Sequence, residues 1–91
     1  MHSMNWTDVI VMQVIDGFDA KKPAYAVSID EIMATLDGKG DGFSRSKMTV
    51  YRRLKGLCED GYIAKGIKKV HADTFYILDK GREYIREELE E

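Results

Sequence analysis

The sequence predicts an α+β fold in which three helices build a core, a two-stranded β-hairpin follows, and a fourth helix comes last. Two observations indicate this class. Apolar residues recur at helical spacing in three segments of the first 60 residues, and glycines mark the ends of those segments. Two runs rich in β-branched and aromatic residues then follow, separated by only three residues. Ninety-one residues suffice for one domain, which we expect to span 1–91.

The first predicted helix is the most apolar segment of the chain. It runs from Trp6 to Phe18, with Asn5 or Thr7 as its N-cap and Gly17 as its stop. A helix with so few polar residues is poorly suited to solvent, so we expect it at the centre of the core. After a loop, residues 25–27 are compatible with a short strand.

The second predicted helix begins at a capping box. The Ser28 hydroxyl can accept a hydrogen bond from the amide of Glu31, and the Glu31 carboxylate can reach back to the amide of Ser28. Apolar residues continue at helical spacing to Leu36, and Gly38 supplies a stop. The glycine-rich residues 39–42 then predict a tight turn.

The third predicted helix spans residues 44–60, with Ser44 as its N-cap and Gly61 as its stop. A helical wheel at about 100° per residue divides it into two faces. The apolar face is predicted to pack on the core and consists of Val50, Tyr51, Leu54, Leu57 and Cys58. The opposite face is basic or small and consists of Arg45, Thr49, Arg52 and Gly56, with Ser46 and Arg53 at its flank.

The hairpin is predicted over residues 63–78, with residues 71–73 as its turn, and Asp79 is predicted to cap the last helix. A tight turn between two helices, followed at once by a hairpin, is typical of the winged helix-turn-helix. In that architecture the helix at 44–60 would enter the major groove of DNA, and the hairpin would serve as the wing.

Charge is unevenly distributed along the chain, although the formal net charge is only −2. Residues 1–38 carry two basic and six acidic groups, a net of −4. Residues 39–71 carry nine basic and three acidic groups, a net of +6, and residues 72–91 carry three basic and seven acidic groups, a net of −4. Because local fields steer a polyanion, the basic centre of the chain is the segment expected to meet one.

The basic groups of the third helix and of the hairpin predict binding to double-stranded DNA. Arginine can bond to the O6 and N7 edge of guanine, and small side chains allow a base to approach closely. The predicted base-reading residues are Arg45, Thr49 and Arg52. The predicted phosphate-binding residues are Ser44, Arg53, Lys65, Lys68 and Lys69, with Ser46 beside them.

Residues 49–63, TVYRRLKGLCEDGYI, resemble the recognition helix and first wing strand of PadR-type regulators, within the wider MarR/PadR class. Residues 75–83, FYILDKGRE, are similar to that family's closing strand and to the start of its last helix. The resemblance implies sequence-specific DNA binding, usually as a homodimer. It also implies a DNA-facing stretch that contains Thr49, Tyr51, Arg52 and Arg53. Because the helical wheel places Tyr51 on the apolar face, we expect only its hydroxyl group to reach a phosphate.

Several other classes of function are not expected. One cysteine and two distant histidines give no metal-binding spacing, and no phosphate loop or acid–nucleophile constellation indicates an enzyme. No apolar run approaches the roughly 20 residues of a membrane helix, and the first residues lack the layout of a secretory signal. We therefore expect a cytoplasmic protein with no cofactor, no membrane association and no small-molecule effector.

The predicted function is that of a small dimeric transcriptional regulator, acting as a repressor. Two alternatives remain open. In the first, the winged helix is a module that binds another protein, and the acidic ends of the chain are its working surfaces. In the second, the protein is a phage or plasmid factor for partition, excision or replication, which shares the DNA chemistry of a regulator but has a different role.

Overall fold

The computed structural model describes residues 4–38 and 45–89. The elements, in chain order, are α1 (Trp6–Gly17), a 3-10 turn (Pro23–Tyr25), β1 (Val27–Ser28), α2 (Ile29–Gly38), α3 (Lys47–Glu59), β2 (Ile63–Lys65), β3 (Thr74–Ile77) and α4 (Asp79–Leu89). This order confirms the predicted α+β class. The predicted turn at 39–42 and the predicted cap Ser44 lie outside the described residues.

α1 lies in the core, as the sequence predicts, and its N-cap is Asn5, one of the two predicted candidates, which forms a capping box with Asp8. The Asp8 amide donates to Oδ1 of Asn5 (3.1 Å), and the Asn5 amide donates to Oδ2 of Asp8 (2.9 Å). Every residue from Thr7 to Met12 is buried. Because nearly all sides of this helix are covered, the other elements pack around it.

α2 also begins at the capping box that the sequence predicts. The Glu31 amide donates to Oγ of Ser28 (3.2 Å), and the Ser28 amide donates to Oε1 of Glu31 (2.9 Å). The ammonium group of Lys69 donates to the same Oε1 atom (2.9 Å). The backbone hydrogen bond from Ser28 and the hydrogen bond from Lys69 lower the pKa of Glu31 from its ordinary value of 4.5.

Acid is expected to weaken the fold in part through Glu31. Since the folded state lowers its pKa, the ionised carboxylate stabilises the fold fully above pH 4.5, and this contribution disappears as the pH falls through the lower folded pKa. Glu31→Gln keeps a side-chain oxygen for the Ser28 amide but cannot titrate. We expect the variant to lose less unfolding free energy than wild type as the pH falls below 4.5, the ordinary pKa of the group.

Urea denaturation at stepped pH measures this effect, with Glu83→Gln as the control because Glu83 is an exposed glutamate on α4. The control variant should follow the wild-type decline. An identical decline in wild type and Glu31→Gln would contradict the assignment.

The three strands form one antiparallel sheet in the order β1–β3–β2. Val27 of β1 lies opposite Phe75 of β3, and Ile63 of β2 lies opposite Ile77 of β3. The hairpin was expected to have two strands, and β1 adds a third at its other edge. β1 begins two residues later than the short strand predicted at residues 25–27, because Pro23–Tyr25 form a 3-10 turn. The fixed φ of proline suits this turn.

The paired part of the hairpin is shorter than the predicted span of residues 63–78. β2 pairs over only Ile63–Lys65, and an isolated bridge between Lys69 and Ala72 closes the tip. Between these points, Oγ1 of Thr74 donates to the Ile67 carbonyl (2.7 Å), and the Ile67 amide donates to a carbonyl of the 3-10 turn (3.3 Å). A buried threonine and the 3-10 turn therefore hold the base of the wing where strand pairing stops.

The core connects α1 to α3, to the sheet and to α2 through large apolar side chains. Its fully buried members include Met12, Ile15, Ile32, Leu54, Leu57, Ile63, Phe75 and Ile77. Burying a leucine or isoleucine side chain contributes about 1.5–3 kcal/mol, so these contacts fix the orientation of α3 about its axis. The side of α3 opposite its leucines is consequently turned to solvent.

Candidate nucleic-acid interface

The outward face of α3 is exposed and cationic. Val50, Leu54 and Leu57 are fully buried, so the opposite side of the helix faces solvent. That side presents Met48, Arg52 and Lys55, with Lys47 at its edge, and the exposed Arg45, which was predicted to lie in this helix, precedes its N-cap. Neither Arg52 nor Lys55 has an ion-pair partner within 4–38 and 45–89, so both can meet an anion. The face becomes acidic at Glu59, the last residue of α3.

α3 begins at Lys47, later than predicted, and its N-cap is Ser46 in place of Ser44. Oγ of Ser46 accepts a hydrogen bond from the Thr49 amide (3.1 Å) and donates to Oγ1 of Thr49 (3.0 Å). The prediction of Ser44 as the cap is therefore wrong, because the serine two residues later satisfies the first turn. Ser46 and Thr49 lie together at the exposed start of the helix.

The wing carries its predicted lysines on exposed positions. Lys65 and Lys68 lie 3.5 and 3.8 Å from the two carboxylate oxygens of Asp73. Lys69 lies 2.9 Å from Glu31. Exposed pairs of this kind contribute only about 0–1 kcal/mol, so a phosphate can replace these carboxylates at little cost.

The basic groups of α3 and of the wing converge at the start of α2. Lys47 of α3 pairs with Asp30 (2.8 Å), and Lys69 near the tip of the wing pairs with Glu31 (2.9 Å). Because Asp30 and Glu31 are consecutive, the side of α3 that carries Lys47 and the wing meet on one surface. We call the surface formed by the outward face of α3 and by Lys65, Lys68 and Lys69 the basic surface.

The structure places Arg53 within the fold and away from the predicted phosphate contact. Its Nε donates to Oδ1 of Asp8 (2.7 Å), and its Nη2 donates to Oδ2 of the same carboxylate (2.5 Å). The side chain of Asp8 is fully buried, and that of Arg53 is 25% exposed. Hydrogen bonding to this carboxylate raises the pKa of Arg53. A buried acid on α1 therefore removes Arg53 from the basic surface.

Tyr51 lies at the edge of the basic surface, although the helical wheel predicted it on the apolar face. Its side chain is 37% exposed and lines an apolar groove with Ile29, Lys47 and Met48. The wheel failed here because α2 covers only part of this flank of α3. Met48 is 59% exposed, and the sequence analysis did not select it as a site residue.

The described residues give no sign of a metal site or of a membrane-spanning helix. Within the two described ranges, no three His, Cys, Asp or Glu side chains lie close enough to hold a metal ion. None of the helices in these ranges is long and apolar enough to cross a bilayer. Cys58 is half-buried, and burial raises the pKa of its thiol.

Comparisons by sequence yield no relative: no protein-family model matches the chain, and no curated protein matches it. Comparison with solved structures, in contrast, finds proteins of similar fold. Bacillus subtilis PadR, in complex with operator DNA, is 16% identical with a TM-score of 0.76, over 99% of this chain and 49% of PadR. TubR from Bacillus megaterium pBM400 is 12% identical with a TM-score of 0.71, over 98% of this chain and 90% of TubR.

The ferric uptake regulator of Vibrio cholerae, Fur, is 16% identical with a TM-score of 0.66, over 82% of this chain and 53% of Fur, and it contains DNA-binding domains. The chain thus spans about half the length of PadR and of Fur, and nine-tenths of TubR. At these identities the similarity concerns the fold. The chain has the winged-helix fold that PadR, TubR and Fur share, as the order of its predicted elements indicated.

Proposed function

We propose that the protein binds double-stranded DNA in a sequence-specific manner and regulates transcription, with α3 in the major groove and the wing on the neighbouring phosphates. The observation that carries the proposal is the convergence of Lys47 and Lys69 on Asp30 and Glu31, which makes one basic surface out of two elements. PadR carries the same fold and was crystallised with operator DNA. A basic surface on this fold has the charge and shape that the major groove requires.

Within this proposal the arginines and the lysines have different tasks. Arg45 and Arg52 read guanine edges, and Thr49 allows close approach to a base. Lys65, Lys68 and Lys69 bind phosphates, and Ser46 contributes at the first turn of α3. Arg53 is not included, because it is held by Asp8.

We further propose that the protein acts as a homodimer and a repressor. Two recognition helices related by a two-fold axis would lie about 34 Å apart, one turn of DNA, so the operator would be an inverted repeat. Sedimentation equilibrium of the protein alone and with DNA tests this proposal: we expect two chains per operator. A footprint that overlaps a promoter and blocks transcription in vitro would support repression.

Arg52→Ala is expected to weaken binding to the operator by about 1–3 kcal/mol, a loss of roughly 5- to 150-fold in affinity. Genomic fragments retained by the wild-type protein first identify the operator, and a salt titration then separates specific from non-specific binding. Arg86→Ala is the matched control, because Arg86 is an exposed arginine on α4. It should leave affinity unchanged, and neither substitution should alter the free energy of unfolding by more than about 0.5 kcal/mol.

Two results would contradict the proposed function. If wild-type protein bound all fragments equally weakly at about 0.1–0.2 M salt, the basic surface would not read sequence. If Arg52→Ala and Arg86→Ala left the footprint equally intact, α3 would not be the recognition helix.

A further inference from the structure

We infer that the apolar groove beside the basic surface reads the C5-methyl group of a thymine in the operator. The groove is lined by Ile29, Lys47, Met48 and Tyr51, has a volume of about 480 Å³, and its walls are almost wholly carbon. The inference rests on the proposed function, since it names a base that the DNA-binding surface would select.

The position of the groove favours DNA as its occupant. Met48 is 59% exposed on the same side of α3 as Arg52 and Lys55, and it precedes them by about one and two helical turns. DNA that binds these cations through its phosphates would bring its bases, which carry no charge, against Met48. An apolar patch within a cationic face is therefore positioned to contact a base.

The lining of the groove favours an apolar group inside it. The ammonium of Lys47 is paired with Asp30 at 2.8 Å, and the surface of the groove is almost wholly apolar, so it offers little hydrogen bonding to a phosphate. Among the edges exposed in the major groove, the C5-methyl of thymine is the apolar group, so a thymine is the base that such a surface selects.

The side chains suit that contact. Met48 is unbranched and polarizable, so it can adapt to the position of a methyl group. Tyr51 can offer its ring, while Ile29, at the first turn of α2, forms a fixed wall. On this inference the ring of Tyr51 carries the contact, whereas the sequence analysis assigned its hydroxyl to a phosphate.

The test replaces thymine by deoxyuridine, which lacks only the methyl group. The operator identified by fragment retention is synthesised with each thymine replaced singly, and the Kd is measured by fluorescence anisotropy. We expect one or two replacements per half-site to weaken wild-type binding by about fourfold each, the equivalent of burying one methyl group. Met48→Ala should bind the thymine operator about as weakly as wild type binds the deoxyuridine operator, with no further loss when the two changes are combined.

Two control variants sharpen the result. Val70→Ala removes an equally apolar and more exposed side chain from the wing, and this variant should keep the full response to deoxyuridine. Tyr51→Phe keeps the ring and should also keep that response, whereas Tyr51→Ala should diminish it. Met48 and Tyr51 are exposed, so these variants are expected to fold, which urea denaturation verifies.

Each contrary outcome is distinct. Unchanged affinity of the wild-type protein for every deoxyuridine operator would overturn the inference while the proposed function stands. An equal loss in wild type and in Met48→Ala would assign the effect to DNA shape and would also overturn it. If no fragment is specifically retained, both the proposed function and the inference fail.

Discussion

Arg53→Met is expected to lower the free energy of unfolding by about 3–5 kcal/mol, whereas Arg52→Met, at the neighbouring position, is expected to change it by less than about 0.5 kcal/mol. The two arginines are adjacent in α3 and differ in what they contact. Arg53 holds the buried Asp8 carboxylate with two hydrogen bonds, and Arg52 has no ion-pair partner in the part of the chain that the structure describes.

The size of the first effect follows from the burial of Asp8. Its side chain is fully buried, so removal of the guanidinium takes away two hydrogen bonds and the positive charge that Arg53 supplies to this anion. The Asn5 amide continues to donate to Asp8, but a hydrogen bond from a neutral amide does not replace a positive charge. A loss of this size is comparable to the whole stability of a small domain.

Urea denaturation at pH 7 measures both variants, with the Asp8→Asn/Arg53→Met double variant as a further comparison. Removing both charges should recover part of the lost stability, because the buried negative charge is then also absent. Operator affinity is measured for the same variants. Arg52→Met should bind the operator more weakly than wild type while its free energy of unfolding stays unchanged. If both arginine variants were equally stable, the Asp8–Arg53 pair would have no structural role.

The parts of the fold that depend on local signals could be predicted from the sequence. The capping box of Ser28 and Glu31 needs only residues three positions apart, and the structure contains both of its hydrogen bonds. Short-range patterns also predicted the end of α1 at Gly17 and limited its cap to Asn5 or Thr7, of which the structure has Asn5. Local hydrogen bonds at helix ends are short-range, so adjacent residues suffice to identify them.

The parts that depend on contacts between distant segments could not be predicted. Arg53 meets an acid 45 positions earlier in the chain, and no local pattern connects the two. Tyr51 stays exposed because α2 leaves part of one flank of α3 open, which a helical wheel cannot represent. The sequence analysis selected Ser44 as the cap of α3, whereas the cap is Ser46, because residue type alone does not fix a helix boundary to within two residues.

The basic surface is a case in which sequence and structure each supply a necessary part. The sequence places nine basic groups between residues 39 and 71, which predicts a polyanion as partner. The structure removes Arg53 from that set and gives Lys65 and Lys68 a shared carboxylate, Asp73. Arg52 and Lys55 then stand out as the strongest positions for DNA contact, because neither forms an ion pair with another described residue.

Gly66→Ala is expected to lower the free energy of unfolding by about 2 kcal/mol and to displace the base of the wing. A Cβ atom at Gly66 would lie 2.4 Å from Cβ of Ala26, 2.7 Å from the Pro23 carbonyl oxygen and 3.1 Å from Oγ1 of Thr74. Two of these distances are shorter than van der Waals contact permits. The carbonyl oxygen belongs to the backbone, so it cannot move aside as a flexible side chain could.

The displacement has a functional consequence, because the amide of Gly66 donates to the Thr74 carbonyl (3.0 Å) at the point where the wing leaves the sheet. Moving this point shifts all three wing lysines together. Gly66→Ala should therefore lose more operator affinity than a variant that lacks any one of the wing lysines. The affinities are compared at a temperature at which Gly66→Ala remains folded.

Gly17→Ala is the matched control for Gly66→Ala. A Cβ atom at Gly17, the last residue of α1, meets nothing within 4 Å, so this variant should be more stable than wild type by about 0.4–1 kcal/mol. Adding Ala26→Gly to Gly66→Ala removes the 2.4 Å contact but leaves the backbone oxygen in place, and it should restore only part of the loss. Full stability in Gly66→Ala alone would mean that the wing is not packed against the 3-10 turn, and the lysines would then lack the fixed base from which they are proposed to hold phosphates.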